Sequence, residues 1–279
     1  MSLYIASLNS GSNGNCYYVG NDEEAVLIDT GISCRETERR MKKLGLNMHK
    51  VKGIFISHEH GDHVTGLPGI SKKFQIPVYI TPATLRAAAL PVEPHLVNTF
   101  VASECITIGG LSITAFTKFH DADDPHSFII TCSGITVGVI TDIGSACTQV
   151  VRYFKQCHAV FLEANYCRDM LMEGSYPYML KKRISGGQGH LSNTEALNLF
   201  LTHRSKYLSH LILCHLSKNN NDPALVERLF KEKAGNTSIT VASRYEATEV
   251  FHIVSSIQTA SNVVVKKLKP VQLQLALFG

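Results

Sequence analysis

No stretch of the sequence reaches the roughly 18 consecutive apolar residues that a membrane-crossing helix requires, so no membrane span is expected. The opening MSLYIASLNSGSNG lacks a basic segment followed by an apolar core, which argues against a secretory signal. The eight cysteines include no C-x-x-C pair and no small-scaffold spacing. Reduced, mostly buried thiols in a cytoplasmic protein are expected rather than a disulfide framework or a thiolate metal knot. Excess charge of one sign is scarce too. With a net charge of +4 and no dense basic patch, charge alone makes no case for a polyanion partner. Lys and Arg gather at 39–43, 181–183 and 266–269, for each of which a solvated helix face or tail is the ordinary reading. There is no internal repeat, low-complexity block or clear linker before about residue 255.

What the sequence does contain is a series of short apolar runs bounded by turn residues. LYIASL, CYYVG and AVLIDTG read as strands of a mixed or antiparallel sheet, GIFIS and PVYIT as further strands. ITIGGLSITAFTKF, HSFIITC, ITVGVIT, AVFLEAN, HLILCHLS, SITVAS and TEVFHIV continue the series. Helices are predicted over 33–46, with Ser33 as N-cap, and over 145–156, 192–203 and 222–233. Ser192 followed by Glu195 is a capping-box pattern. Strand-rich halves with interspersed helices predict an α/β fold in four layers, an αββα sandwich.

The segment GIFISHEHGDHVTGL places His58, His60, Asp62 and His63 directly after an apolar strand. Imidazoles and carboxylates suit zinc, manganese or iron(II). His58 and His60 can converge on one ion, and Asp62 and His63 can reach a second. His120, Asp142 and His215 each follow an apolar run, which is what a site along one edge of two sheets needs. His126 competes with His120 on spacing alone; the strand-end position favours His120.

H-x-H-x-D-H with three further ordered ligands resembles the metallo-β-lactamase fold, over most of residues 1–254. The resemblance implies that His58, His60 and His120 hold one divalent ion, that Asp62, His63 and His215 hold a second, and that Asp142 bridges them. Asp29, ending VLIDTG, would orient the histidine loop without being a ligand. Two such ions, zinc or manganese with iron possible, hydrolyse esters, amides or phosphodiesters.

FLEAN and GHLSNTEA resemble motifs of the phosphodiesterase branch typified by the tRNA-processing RNase Z. There a glutamate and a histidine, matched here by Glu163 and His190, protonate the departing alkoxide. A carboxylate beside an imidazole holds it in one tautomer and favours its protonated form. Asp62, Glu163 and His190 are therefore expected to be catalytic. Ser12 and Asn13 of SGSNGN could form an anion nest or a plain turn. Ser217, Lys218 and Asn219 of HLSKNNN could hold a phosphate or be a solvated loop. Together these segments resemble the bacterial YycJ/WalJ-type metallo-hydrolases, implying a cytoplasmic 5′→3′ exonuclease acting on DNA. An RNA-processing nuclease, a small-molecule ester or thioester hydrolase and a non-catalytic nucleic-acid scaffold are the alternatives. The chain is thus expected to divide into a catalytic domain, 1–254, and an extension, 255–279. In that extension Gln274, Leu275, Leu277 and Phe278 resemble the short peptide that docks bacterial proteins on the DNA sliding clamp. The same alternation of polar and apolar residues would also suit an edge strand.

Overall fold

The computed structural model describes residues 2–254; the clamp-like residues 274–278 and the rest of the 255–279 extension lie outside them. Fourteen strands form two seven-stranded sheets. The first sheet contains β1 (Leu3–Asn9), β2 (Cys16–Gly20), β3 (Ala25–Ile28), β4 (Val51–Phe55), β5 (Val78–Tyr79) and β6 (Val97–Asn98). The second contains β7 (Cys105–Ile108), β8 (Leu111–Thr117), β9 (His126–Cys132), β10 (Ile135–Ile140), β11 (Ala159–Glu163), β12 (His210–Cys214) and β13 (Ser238–Val241). The last described strand, β14 (Phe251–Ile253), returns to the first sheet and pairs antiparallel with β1. Both sheets are mixed: β1 to β3 run antiparallel and β3 to β6 parallel, while β10 to β13 run parallel.

The apolar runs are continuous because most strands are covered on both faces. Alternate residues of β1, β2 and β3 (Leu3, Ile5, Tyr17, Val19, Val26 and Ile28) meet Phe128, Ile130, Val137, Val139 and Phe161 from the other sheet. The opposite faces pack on helices. Leu27 and Ile54 meet Met41, Leu67 and Ile70 on one side; Ile140 and Leu162 meet Phe154, Phe200 and Phe230 on the other. This is the expected αββα order.

The predicted helices form with trimmed ends, at Cys34–Lys43, Thr148–Phe154, Asn193–His203 and Pro223–Lys231. Ser33 caps the first through the amide of Glu36, and the Ser192/Glu195 box is complete. The run ITIGGLSITAFTKF is two strands, not one, because Gly109 turns the chain at φ +54. Helices at Leu67–Phe74, Pro82–Ala88, Arg168–Glu173 and Tyr178–Ser185 add to those expected. No described helix is long and apolar enough to cross a membrane. Of the cysteines, Cys16, Cys132, Cys157 and Cys214 are buried and Cys105 is exposed; none is in a disulfide.

Candidate metal centre

The polar residues singled out by the sequence converge at the carboxyl ends of β3, β4, β8, β10, β11 and β12, where an open α/β sheet ordinarily places its ligands. Three of them leave their strands in left-handed backbone: Asp29 at φ 61, Asp142 at φ 52 and His215 at φ 56. Such a conformation costs about 1–3 kcal/mol at a non-glycine residue and recurs at functional sites. Here it turns each side chain off the strand axis into the space between the sheets.

The histidine loop is held by backbone contacts that leave no room for larger residues. Gly31, after Asp29, would carry a Cβ 1.7 Å from the Asp62 carbonyl oxygen. The Asn15 amide donates to that carbonyl at 2.7 Å and the Thr30 amide to the His63 carbonyl at 2.8 Å. Asp29 is fully buried and organises two histidines. Its Oδ2 lies 2.7 Å from His63 Nδ1 and accepts from Ser57 Oγ, which is in turn 2.9 Å from His58 Nδ1. Both rings are thereby left with Nε2 toward the centre. His120 donates Nδ1–H to the Gly189 carbonyl at 2.9 Å, freeing its own Nε2.

Ligand-type atoms gather in overlapping groups: His58, His60 and His120; Asp62, His63 and His215; His58, His63 and Asp142; and Asp142, Glu163, His190 and His215. Asp142 recurs with members of both histidine sets, as a bridging carboxylate must. His126 joins none. It is buried against Phe100 with Nδ1 on the Asp124 carbonyl, whereas His120 stands among the clustered imidazoles.

Two observations test whether this pocket fits cations. His120 Nε2 and Asp142 Oδ2 are buried with no hydrogen-bond partner, a costly state for a dry polar atom. His58 Nε2 and His60 Nδ1 face each other at 3.1 Å, close enough to share a proton or to turn to one cation. Electrostatics agree. Burial holds His58 well below the usual imidazole range and His120 down to about 4, which keeps both neutral. Burial also opposes charge on His63 and His215, but the carboxylates outweigh it. Asp142, Asp29 and Asp62 raise His63 well above the usual range, and Asp142, Asp62 and Glu163 raise His215 to about 10. Burial works against ionisation of Asp62 and Asp142 as well, yet the facing imidazoles hold both below the usual carboxylate range. The pocket demands positive charge, and without metal it takes protons.

Glu163 is differently engaged. Its Oε2 accepts from the amides of Ile143 at 2.8 Å and Leu191 at 3.2 Å, while Oε1 lies 2.7 Å from His190 Nδ1. With both oxygens committed, Glu163 orients His190 rather than offering itself as a ligand.

A cleft of about 420 Å³ opens over these groups, lined by Ser12, His60, Asp62, His190, His215 and Ser217, with Tyr176, Leu180 and Arg183 at one side. Of the anion-binding candidates, only Ser12 and Ser217 reach it. Asn13 donates to the Arg244 carbonyl and Asn219 to the Tyr176 hydroxyl, while Lys218 lines a neighbouring hollow. Sequence reasoning missed Asn15 and Asn165. Asn15 Nδ2 stands 3.1 Å from both Asp62 Oδ2 and His63 Nε2, and Asn165 Nδ2 donates to the His215 carbonyl at 2.7 Å. The N-G-N turn and the asparagine of FLEAN were their only signals. Lys118, buried with Nζ on the Thr141 carbonyl at 2.8 Å, was also unforeseen.

Residues 24–215 match the family described as Beta-lactamase superfamily domain. The exodeoxyribonuclease YycJ of Bacillus anthracis is 32% identical over 242 residues, covering 84% of this chain and 91% of the relative. The exodeoxyribonuclease WalJ of Streptococcus pneumoniae is 27% identical over 219 residues, 77% of this chain and 81% of the relative. Among solved structures, the metallo-beta-lactamase fold protein YhfI of Bacillus subtilis superposes with a TM-score of 0.70 at 14% identity. It covers 90% of this chain and 100% of its own, and at that identity the likeness speaks for the fold. The chain belongs to the beta-lactamase superfamily, as one of its metal-dependent hydrolases.

Proposed function

We propose that this hydrolase is a dinuclear phosphodiesterase that removes nucleotides from DNA, in the 5′→3′ direction. The observation that carries the reading is the Glu163–His190 pair, 2.7 Å apart beside Asp142 and His215. A thioester hydrolase has less need of a carboxylate-backed acid there, because a thiolate departs without a proton, whereas an expelled sugar alkoxide must be protonated. The names of the two exodeoxyribonuclease relatives support DNA as the substrate.

His58, His60 and His120 would hold one divalent ion and Asp62, His63 and His215 the other, with Asp142 between them; the nitrogen and oxygen donors suit zinc, manganese or iron(II). Such a pair supplies a hydroxide at neutral pH and charge neutralisation of the phosphate. The remaining chemistry belongs to the chain. Asp62, held by Asn15, lines the cleft and takes the proton of the attacking water at its carboxylate. Glu163 accepts the Nδ1–H of His190, so the Nε2–H is the proton delivered to the departing oxygen. Ser12 and Ser217 line the phosphate's approach.

In the 255–279 extension, Gln274, Leu275, Leu277 and Phe278 would dock the enzyme on the bacterial sliding clamp, in a cytoplasmic role in replication and repair. The test of activity and polarity is single-stranded DNA carrying a label at either end. A 5′ label released as a short product while the 3′ label stays on long strands supports the reading. The reverse pattern overturns the polarity, and internal cuts overturn the exonuclease.

A further inference from the structure

The segment YPYMLKKRIS, residues 176–185, sets two tyrosines just before Lys181, Lys182 and Arg183, and the metal chemistry uses none of them. Its helix, Tyr178–Ser185, buries none of its residues. Spacing divides it into two stripes. Leu180, Arg183 and Ile184 line the cleft with Tyr176, whereas Tyr178, Met179 and Lys182 occupy the other stripe, Tyr178 and Met179 each 72% exposed.

The helix is firmly tied to the centre. His190 donates its amide to the Ile184 carbonyl at 2.8 Å, and Arg183 pairs with Asp121 beside His120. Lys181 Nζ reaches the Met172 carbonyl at 2.6 Å, and the Tyr176 hydroxyl accepts from Asn219 at 3.1 Å. Lone exposed apolar residues are ordinary. An aromatic and a methionine sharing one anchored helix with three cations and the cleft lining are not, because exposed rings beside a basic groove form the surface that single strands use.

Resting on the nuclease reading, we infer that the Tyr178–Met179–Lys182 stripe is a platform for unpaired bases of a nucleic-acid strand, on which the strand lies as its end enters the cleft. Charge complementarity and continuity with the cleft select this occupant over an apolar protein partner. A duplex, with its bases paired and stacked internally, cannot use the ring.

The test is fluorescence anisotropy of the full chain with chelator present, titrating labelled single-stranded DNA and a fully abasic strand of equal length. Tyr178→Ala should weaken single-strand binding about tenfold, the scale of one base–aromatic stack, and Tyr178→Phe should restore it. The abasic strand should bind wild type and Tyr178→Ala alike. Lys182→Ala should weaken both strands and flatten the salt dependence. Tyr207→Ala, at an exposed ring stacked on His158 elsewhere, controls for general aromatic loss. Wild-type affinity in Tyr178→Ala, an equal loss on the abasic strand, or no single-strand binding by wild type overturns the inference. A parallel cleavage assay separates the two claims. Cleavage by wild type with an unchanged KM in Tyr178→Ala sinks the platform alone; no cleavage of any nucleic acid with any metal sinks the nuclease reading.

Discussion

Replacing Glu163 by glutamine strikes the acid most directly, although Oε1 also lies 3.2 Å from Nδ1 of His215. The carboxylate joins two backbone amides on Oε2 to His190 on Oε1. A glutamine can satisfy only one side. With its oxygen on the Ile143 and Leu191 amides, its NH2 faces His190 Nδ1, and the protonated imidazole loses both its acceptor and its counter-charge. A hydrogen bond to a charged group is worth about 1.5–3 kcal/mol. At roughly 1.36 kcal/mol per factor of ten, kcat should fall about ten- to 150-fold. His190→Ala should cost about 10²–10⁴-fold, the range for a general acid. The assay is single-turnover cleavage of single-stranded DNA with metal content measured on the same samples. A substrate with sulfur at the bridging leaving position provides the check, because a thiolate departs without a proton. Both variants should recover most of their deficit on it. An equal loss on oxygen and sulfur substrates, or loss of metal in His190→Ala, would refute the assignment of the pair as the acid.

Three further outcomes follow from the geometry. His120→Ala should lower bound metal by about one ion per chain, whereas His126→Ala should leave stoichiometry unchanged and reduce stability, as for other buried residues packed on an aromatic ring; metal analysis and thermal melts read both. Asn15→Ala removes the amide that steadies Asp62 and His63 and should weaken metal affinity about 10–100-fold, the usual cost of a supporting partner; competition with a chromophoric chelator measures it, and unchanged affinity would make Asn15 a turn residue only. Loading metal should release protons, because His63 and His215 are raised by their carboxylates and must deprotonate to bind. Affinity should therefore climb as pH rises toward their raised values, and an indicator in weak buffer should report the release; a pH-independent affinity would show these two are not ligands.

Much of this centre was legible because its ligands sit at strand ends. Burial on both sheet faces turns β10, β12 and the end of β4 into apolar runs, so the polar residue that stops each run stands out. For His120 the strand-end position was the only sequence signal over His126, which opens β9; packing shows that one faces the histidines and the other Phe100. Asn15 was invisible for another reason: its partners Asp62 and His63 are distant in sequence. The helix at Leu67–Phe74 was not among those expected, because Gly66, Pro68 and Gly69 weaken a helical pattern even though a proline in the first turn suits a helix. The anion-nest reading of SGSNGN kept Ser12 at the cleft, whereas Asn13 ties the loop to Arg244.

The activity proposed for this chain is cleavage of phosphodiester bonds in DNA at one metal centre. Its most direct measurement is release of nucleotides from single-stranded DNA by purified protein loaded with manganese or zinc, beside chelated protein and Asp142→Asn. Mononucleotides or short products are expected with metal, and none from the chelated protein or the variant. Intact DNA under every metal, together with hydrolysis of a small ester or thioester, would contradict it.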